Sequence, residues 1–337
     1  MKEIVYGKYN DRDTLVTVVT ATYNSFSKIS NTLESVFSQT YPNIEYIITD
    51  DGSSSFPIDI VNNLCEKNSN RNYVFKLLLH ENNNGTVRNL NYAYKTAKGK
   101  YIINLSCGDV FFDENVVSRI VDRFEKNDSD VVVTSRILYK DDFQPLYLLP
   151  HYDERKIIES FETGLDQYKA FITGKFMDMA SGSAMAFSKR VLEKMGYYDE
   201  NYRLWEDGPF IAKYLQIGKL DCAYDIVSIW YEDNGVSSKQ KNNKGISHSV
   251  SLLDIDTIKF NEEERLENIS LFSYKQKRII RFRNLIYKYR HRYFRYLIFL
   301  VHPIEYVDLL IYNSNRNKRI QKDKEIIGEL LNDKQNI

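Results

Sequence analysis

The chain has 337 residues, 43% hydrophobic and 27% charged, which fits one large or two modest soluble domains and excludes a disordered polymer. Its 46 basic and 46 acidic residues cancel, so no overall field points to nucleic acid as a partner. Three scattered cysteines (Cys65, Cys107 and Cys222) argue against a disulfide framework or structural zinc site and fit a reducing cytoplasm. The first residues lack the apolar core of an export signal. The most apolar late stretch, Tyr296 to Tyr312, holds His302, Pro303, Glu305 and Asp308 and is not expected to span a membrane.

In chain order, β-branched apolar runs predict strands at 15–20, 44–49, 75–79, 101–105 and 131–138. Between them, periodic segments predict helices at 27–40, 57–67, 86–97 and 114–126, punctuated by Pro42, Pro57 and Gly99. Such alternation predicts an α/β class protein, with a mostly parallel sheet flanked by helices. A mixed region follows, with strands at 183–187 and 226–231 and helices at 188–195 and 207–217. Residues 233–249 are polar and rich in Gly, Asn and Ser, which predicts a surface loop, a candidate lid. From Leu252 onward only helical signals remain.

Ligands of open α/β sheets bind outside the carboxyl ends of the strands. The first strand ends in Ala21-Thr22-Tyr23-Asn24, and the second in Asp50-Asp51-Gly52-Ser53. Together these loops suit a base or ribose, whereas either one alone is an ordinary turn. In Asn82-Asn83-Asn84-Gly85-Thr86-Val87-Arg88, a loop enters a helix whose first amides and Arg88 would favour a phosphate; Thr86 as a plain N-cap is the competing reading. A third strand ends in Ser106-Cys107-Gly108-Asp109, where Asp109 could hold Mg²⁺ or Mn²⁺ against a diphosphate. Trp205-Glu206-Asp207 opens a helix, and Asp207 could act as a general base; capping is the plainer alternative.

Taken in order, these strings resemble the family-2 glycosyltransferases, inverting enzymes of the GT-A fold that use nucleotide-activated sugars. The resemblance covers about residues 14–235. It also rests on Ser35-Val-Phe-Ser-Gln-Thr-Tyr-Pro42, Asn84-Gly85 with Arg88-Asn89, and Ala97-Lys-Gly-Lys-Tyr101. It implies a GT-A domain over 1–250, with a nucleotide-binding half at 14–140 and an acceptor half at 141–250. Residues 251–337 then form a helical extension.

The resemblance further implies that Asp51, Arg88, Cys107, Gly108 and the Ala21–Asn24 loop bind the nucleotide. Asp207 would be the catalytic base with Glu206 beside it, and Ser181, Gly182, Ser183 and Trp205 would line the sugar and acceptor site. The chain departs from the family at its metal-binding Asp-x-Asp, which here reads Ser106-Cys107-Gly108. Only Asp109 remains, as in the subset with a degenerate triplet, so Mg²⁺ or Mn²⁺ dependence is open.

The implied reaction moves a hexosyl or N-acetylhexosaminyl group from a nucleotide-sugar, a UDP-sugar by expectation, to a glycan or lipid-linked saccharide of a surface polysaccharide such as a capsule. The rival reading is a non-catalytic sugar-nucleotide-binding or scaffold protein. A nucleotidyltransferase is disfavoured because the first loop lacks a Gly-rich, Lys-containing sequence. Finally, residues 271–295 carry nine basic residues and no acid, with Ile279, Phe282, Ile286, Tyr289 and Tyr293 on one helical stripe. That pattern predicts contact with an anionic membrane surface, hence a peripheral place on the inner face of the cell membrane; a helix packing its stripe on the catalytic domain with its charges solvated is the competing reading.

Overall fold

The computed structural model describes residues 2–7, 14–68, 73–140, 143–232, 252–289 and 295–335. The expected lid at 233–249 and the positions Arg290, Arg292 and Tyr293 lie outside them.

Parallel pairing organises the first half. β1 (Lys2–Tyr6) precedes β2 (Val16–Thr22), α1 (Ile29–Phe37), β3 (Ile44–Asp50), α2 (Ile58–Lys67), β4 (Tyr73–Leu79), α3 (Thr86–Thr96) and β5 (Tyr101–Asn104). β2 lies between β3 and β5, with Val16 opposite Ile44 and Thr22 opposite Asp50. Every residue of β3 is buried, as expected of a strand covered on both faces. Alternation along β2 sends Val16 and Val18 into one core and Val19 into the other.

Next come β6 (Val110–Phe111), α4 (Val116–Asn127), β7 (Val131–Lys140), β8 (Gln144–Leu149), α5 (Tyr152–Glu159) and α6 (Gly164–Ile172). β9 (Met185–Ser188), α7 (Lys189–Met195), α8 (Asp207–Tyr214) and β10 (Asp221–Glu232) complete the sheet region. The strand order is β1-β4-β3-β2-β5-β9-β7-β10-β6, with β8 paired to β7.

Two of the family-like strings turn out to hold this frame together. Gln39 donates to the Ser35 and Asp113 carbonyls and accepts from the Val117 amide, tying the end of α1 to the start of α4. Glu45, fully buried, meets Lys76 at 2.6 Å, Thr17 Oγ1 at 2.6 Å and the Lys98 amide at 2.7 Å. Gly99 is required there, since a Cβ would stand 2.4 Å from the Thr17 nitrogen.

β1, β6, β8, α5 and α6 were not expected. β1 (Lys-Glu-Ile-Val-Tyr) and β8, with Pro145, are half-exposed strands without a clean apolar run. α6 does carry a legible start, a capping box between Thr163 and Asp166.

Five helices follow: α9 (Leu252–Glu267), α10 (Tyr274–Lys288), α11 (Arg295–Val301), α12 (Pro303–Ser314) and α13 (Arg316–Gln335). α13 returns to β8 and α5, burying Ile327, while the Tyr152 amide donates to Asp323 at 2.8 Å. Within the stripe expected to meet a membrane, Phe282 is buried, and Ile279 and Ile286, partly exposed, line a large open cavity. Two of the stripe's cations are paired, Arg278 with Glu305 at 2.7 Å and Lys288 with Glu262 at 3.1 Å. The open apolar surface lies elsewhere, on α11 and α12, where Leu300, Val301 and Ile304 are 76%, 70% and 61% exposed. No described helix is long and apolar enough to cross a membrane.

Candidate active site

The β2 and β3 ends deliver two loops that lock together. Asn24, at φ 47°, donates its amide to Ser53 Oγ (2.8 Å), and its side-chain oxygen accepts from the Ser54 amide (3.3 Å). Asp50 accepts from the Ser53 amide and hydroxyl, and Gly52 takes φ +77° where an added Cβ would strike Asn82. Tyr23 projects from the same turn, half exposed. Ala21 and Thr22 belong to β2 itself, and Thr22 Oγ1 is buried without a partner.

Asp51 is buried, and its two oxygens accept the amides of Asn84 (2.8 Å) and Gly85 (2.9 Å). Burial raises its carboxyl while those two amides oppose the shift. The anion at the start of α3 is therefore Asp51 itself, with these amides already taken. A carboxylate has about four lone-pair sites, so Asp51 can still accept from a ligand. Gly85, not Thr86, is the N-cap, and no side chain caps the helix. Arg88 is largely exposed and lies 3.5 Å from Glu200.

Gly85 sits against Arg203, and the Arg203 carbonyl accepts the Val87 amide at 3.3 Å. Residues 203–205 thus join the nucleotide-side loops to Glu206 and Asp207. Asp256 of α9, buried, secures this stretch by accepting the amides of Arg203, Leu204 and Trp205 at 2.7–3.0 Å. Asp256 was not foreseen, because nothing in a helix of mixed polarity marks one aspartate as the anchor of a loop 50 residues earlier.

Asp207 begins α8, where its oxygens accept the Gly182 amide (2.8 Å) and the Gly208 amide (2.7 Å). The Gly182 carbonyl in turn accepts from Asn104 at the end of β5 (3.0 Å). Gly208 is forced by close approach, since a Cβ would lie 2.6 Å from the Trp205 indole. Burial, and then the adjacent Asp207 charge, raise the Glu206 carboxyl.

Ser181, Trp205 and Asp207 line a pocket of about 250 Å³. Ser183 does not reach it but turns into the interior beside Ile103 and Thr134. Arg136, unexpected from the sequence, does line the pocket: it is buried, its Nε and Nη1 have no partner, and Asp178 is 3.6 Å away.

At the triplet, Cys107 donates to the Ser25 carbonyl (3.1 Å), and burial pushes its thiol up to about 11. Gly108, at φ +106°, donates to Thr32 Oγ1 and accepts from the Tyr139 hydroxyl. A Cβ at 108 would come within 2.3 Å of Glu232 Oε2, so a neighbouring carboxylate fills the space that a side chain would need. Lys28 pairs with that glutamate at 2.8 Å. Asp109 is buried and accepts the Glu232 amide at 3.0 Å, and burial pushes its carboxyl up to about 8. Its Oδ2 has no partner. One enclosed carboxylate oxygen beside a lysine-bound glutamate does not make a divalent-cation donor set. Among the described residues no group of three metal-ligating side chains occurs.

Parallel strands that bring these loops to one sheet edge, beside an acid pair opening a helix, define a GT-A type nucleotide-sugar-handling fold. The chain matches the model "Glycosyl transferase family 2" over residues 17–196, more than half its length, and belongs to that family. The match ends before Glu206 and Asp207. Similar curated proteins include the glycosyltransferase GlyG of Streptococcus pneumoniae serotype 4, 30% identical over 119 residues (35% of this chain, 38% of that one). Another is the Escherichia coli UDP-Glc:alpha-D-GlcNAc-diphosphoundecaprenol beta-1,3-glucosyltransferase WfaP, 37% identical over 108 residues (32% and 40%). The chain thus spans well under two thirds of these relatives' lengths.

Among solved structures, S. aureus TarS 1-349 in complex with UDP-GlcNAc aligns with a TM-score of 0.53 at 16% identity, covering 81% of each chain. The mannosyltransferase PcManGT of Pyrobaculum calidifontis, in complex with GDP-Man and Mn²⁺, aligns at 0.55 and 15%, covering 91% of this chain and 78% of that one. At these identities the likeness concerns the fold.

Proposed function

We propose that this protein is an inverting glycosyltransferase, moving a sugar from a UDP-sugar to a hydroxyl of a lipid-linked saccharide in surface polysaccharide assembly. The observation that carries the reading is Asp207, fixed by two backbone amides in a pocket joined through residues 203–205 to the loops around Asp51. A carboxylate so held is aimed rather than free to rotate, as a general base must be.

In the proposed step, Asp207 takes the proton of the acceptor hydroxyl as its oxygen attacks the anomeric carbon. The bond to the nucleoside diphosphate breaks on the opposite face, so configuration inverts. Tyr23, Asn24 and Asp51 would hold the nucleoside. Arg88 in the first turn of α3 and Lys28 at the start of α1 would meet the diphosphate charge. Arg136 offers unpaired N–H groups to acceptor oxygens in the pocket of Asp207. The exposed apolar face of α11 and α12 would rest in the headgroup layer of a membrane.

Asp207→Asn keeps the shape and removes the base. Turnover should fall by about 10²–10⁴-fold, while UDP affinity by calorimetry stays at the parent value. Near-normal transfer by that variant would reject the assignment.

A further inference from the structure

Between α6, α9, α10 and α12 lies a cavity of about 1160 Å³, larger than a saccharide needs. Its walls are largely apolar, with Phe176, Ile279, Phe282, Ile286, Leu309 and Tyr312 among them. Three arginines also line it, Arg265, Arg283 and Arg319, the last donating to the Tyr312 carbonyl at 3.0 Å. Arg265, 5% exposed, donates to Asn261 Oδ1 at 2.6 Å, and its Nε has no partner. Arg283 crowds Gly174, where a Cβ would lie 2.4 Å from Nη1. Among the described residues neither Arg265 nor Arg283 forms an ion pair.

Asp166, Glu305 and Asp308 also line the cavity, with Glu305 held by Arg278, but none pairs with the buried Arg265 or the partly buried Arg283; a guanidinium withdrawn from water without a carboxylate is costly. Burial and then the charge of Arg283 lower Arg265 to about 10, still above neutral pH, so its guanidinium stays charged and favours an anion beside it. The cavity adjoins the pocket of Asp207, with Met177 and Trp205 lining both.

We propose that this cavity holds an acceptor built as an amphiphile, its phosphate bound by Arg265 and Arg283 and its apolar chain lying among the α10 and α12 side chains. The inference rests on the glycosyltransferase reading. The saccharide would extend past Met177 and Trp205 to present a hydroxyl to Asp207. Apolar walls answer the chain, and an unpaired guanidinium pair answers the phosphate. An uncharged glycan would use neither.

The test is calorimetry on the full chain with decyl phosphate, decanol and inorganic phosphate, with UDP titrated separately. Decyl phosphate should bind at least about tenfold more tightly than either fragment, given the strength of hydrogen bonds to charged groups. Arg283→Gln should erase the advantage over decanol while leaving UDP affinity and melting temperature unchanged. Arg265→Gln, more deeply buried, serves as the second variant.

Equal binding of decyl phosphate and decanol by the parent would overturn the proposal. So would inorganic phosphate binding as well as the amphiphile, or both variants keeping the parent's preference. Failure to bind UDP would count against the glycosyltransferase reading instead, and leaves the amphiphile comparison standing.

Discussion

Burial, and then the charge of the adjacent Asp207, raise the Glu206 carboxyl to about 8. If the charge of Glu206 governs the site, kcat should change with pH through that raised range. Glu206→Gln should then abolish this limb of the kcat profile. A limb that stays where it was would mean that Glu206 does not govern the rate. The triplet gives a second residue-scale expectation. With Gly108 backed by Glu232, Lys28 nearby and only Asp109 Oδ2 unengaged, the nucleotide's charge falls to the chain's own cations. UDP affinity should therefore be the same in EDTA and in Mn²⁺; a tenfold gain with Mn²⁺ would refute that.

At the scale of elements, α9 matters because Asp256 gathers three consecutive amides ahead of the acid pair. Asp256→Ala strands those donors, and each unsatisfied buried group costs about 1–3 kcal/mol. The variant should melt several degrees lower and lose kcat more than UDP affinity; full activity at an unchanged melting temperature would dismiss the anchor. β2, β3 and β5 were readable because buried parallel strands are continuous apolar runs closed by polar turns. Edge strands such as β1 and β8 carry charges or proline and give no such run. The acid pair and the strand-end loops were legible as strings. Their partners were not, since Arg136, Asp256 and Arg265 acquire meaning only through neighbours far away in sequence. The basic stripe left two readings open for a related reason: periodicity shows that a helix has an apolar face without saying what covers it.

For the whole molecule, the proposed membrane contact would fall on one face. α10 turns its apolar side to the large cavity, while α11 and α12, packed against it, turn Leu297, Leu300, Val301, Ile304 and Val307 outward. α10 still exposes Lys275 and Arg281. A ridge of large apolar side chains backed by cations suits an anionic bilayer, where each basic residue near the surface adds about 1 kcal/mol. Part of the ridge lies on α12, which also walls the large cavity, so an amphiphile in that cavity would sit close to the proposed membrane face. The full chain should sediment with anionic liposomes, less so at high salt as the charge contribution is screened. Replacing Leu300 and Ile304 together by Glu should release it while UDP affinity holds, because neither residue touches the nucleotide loops. If that double variant sediments like the parent, the ridge is not the membrane face.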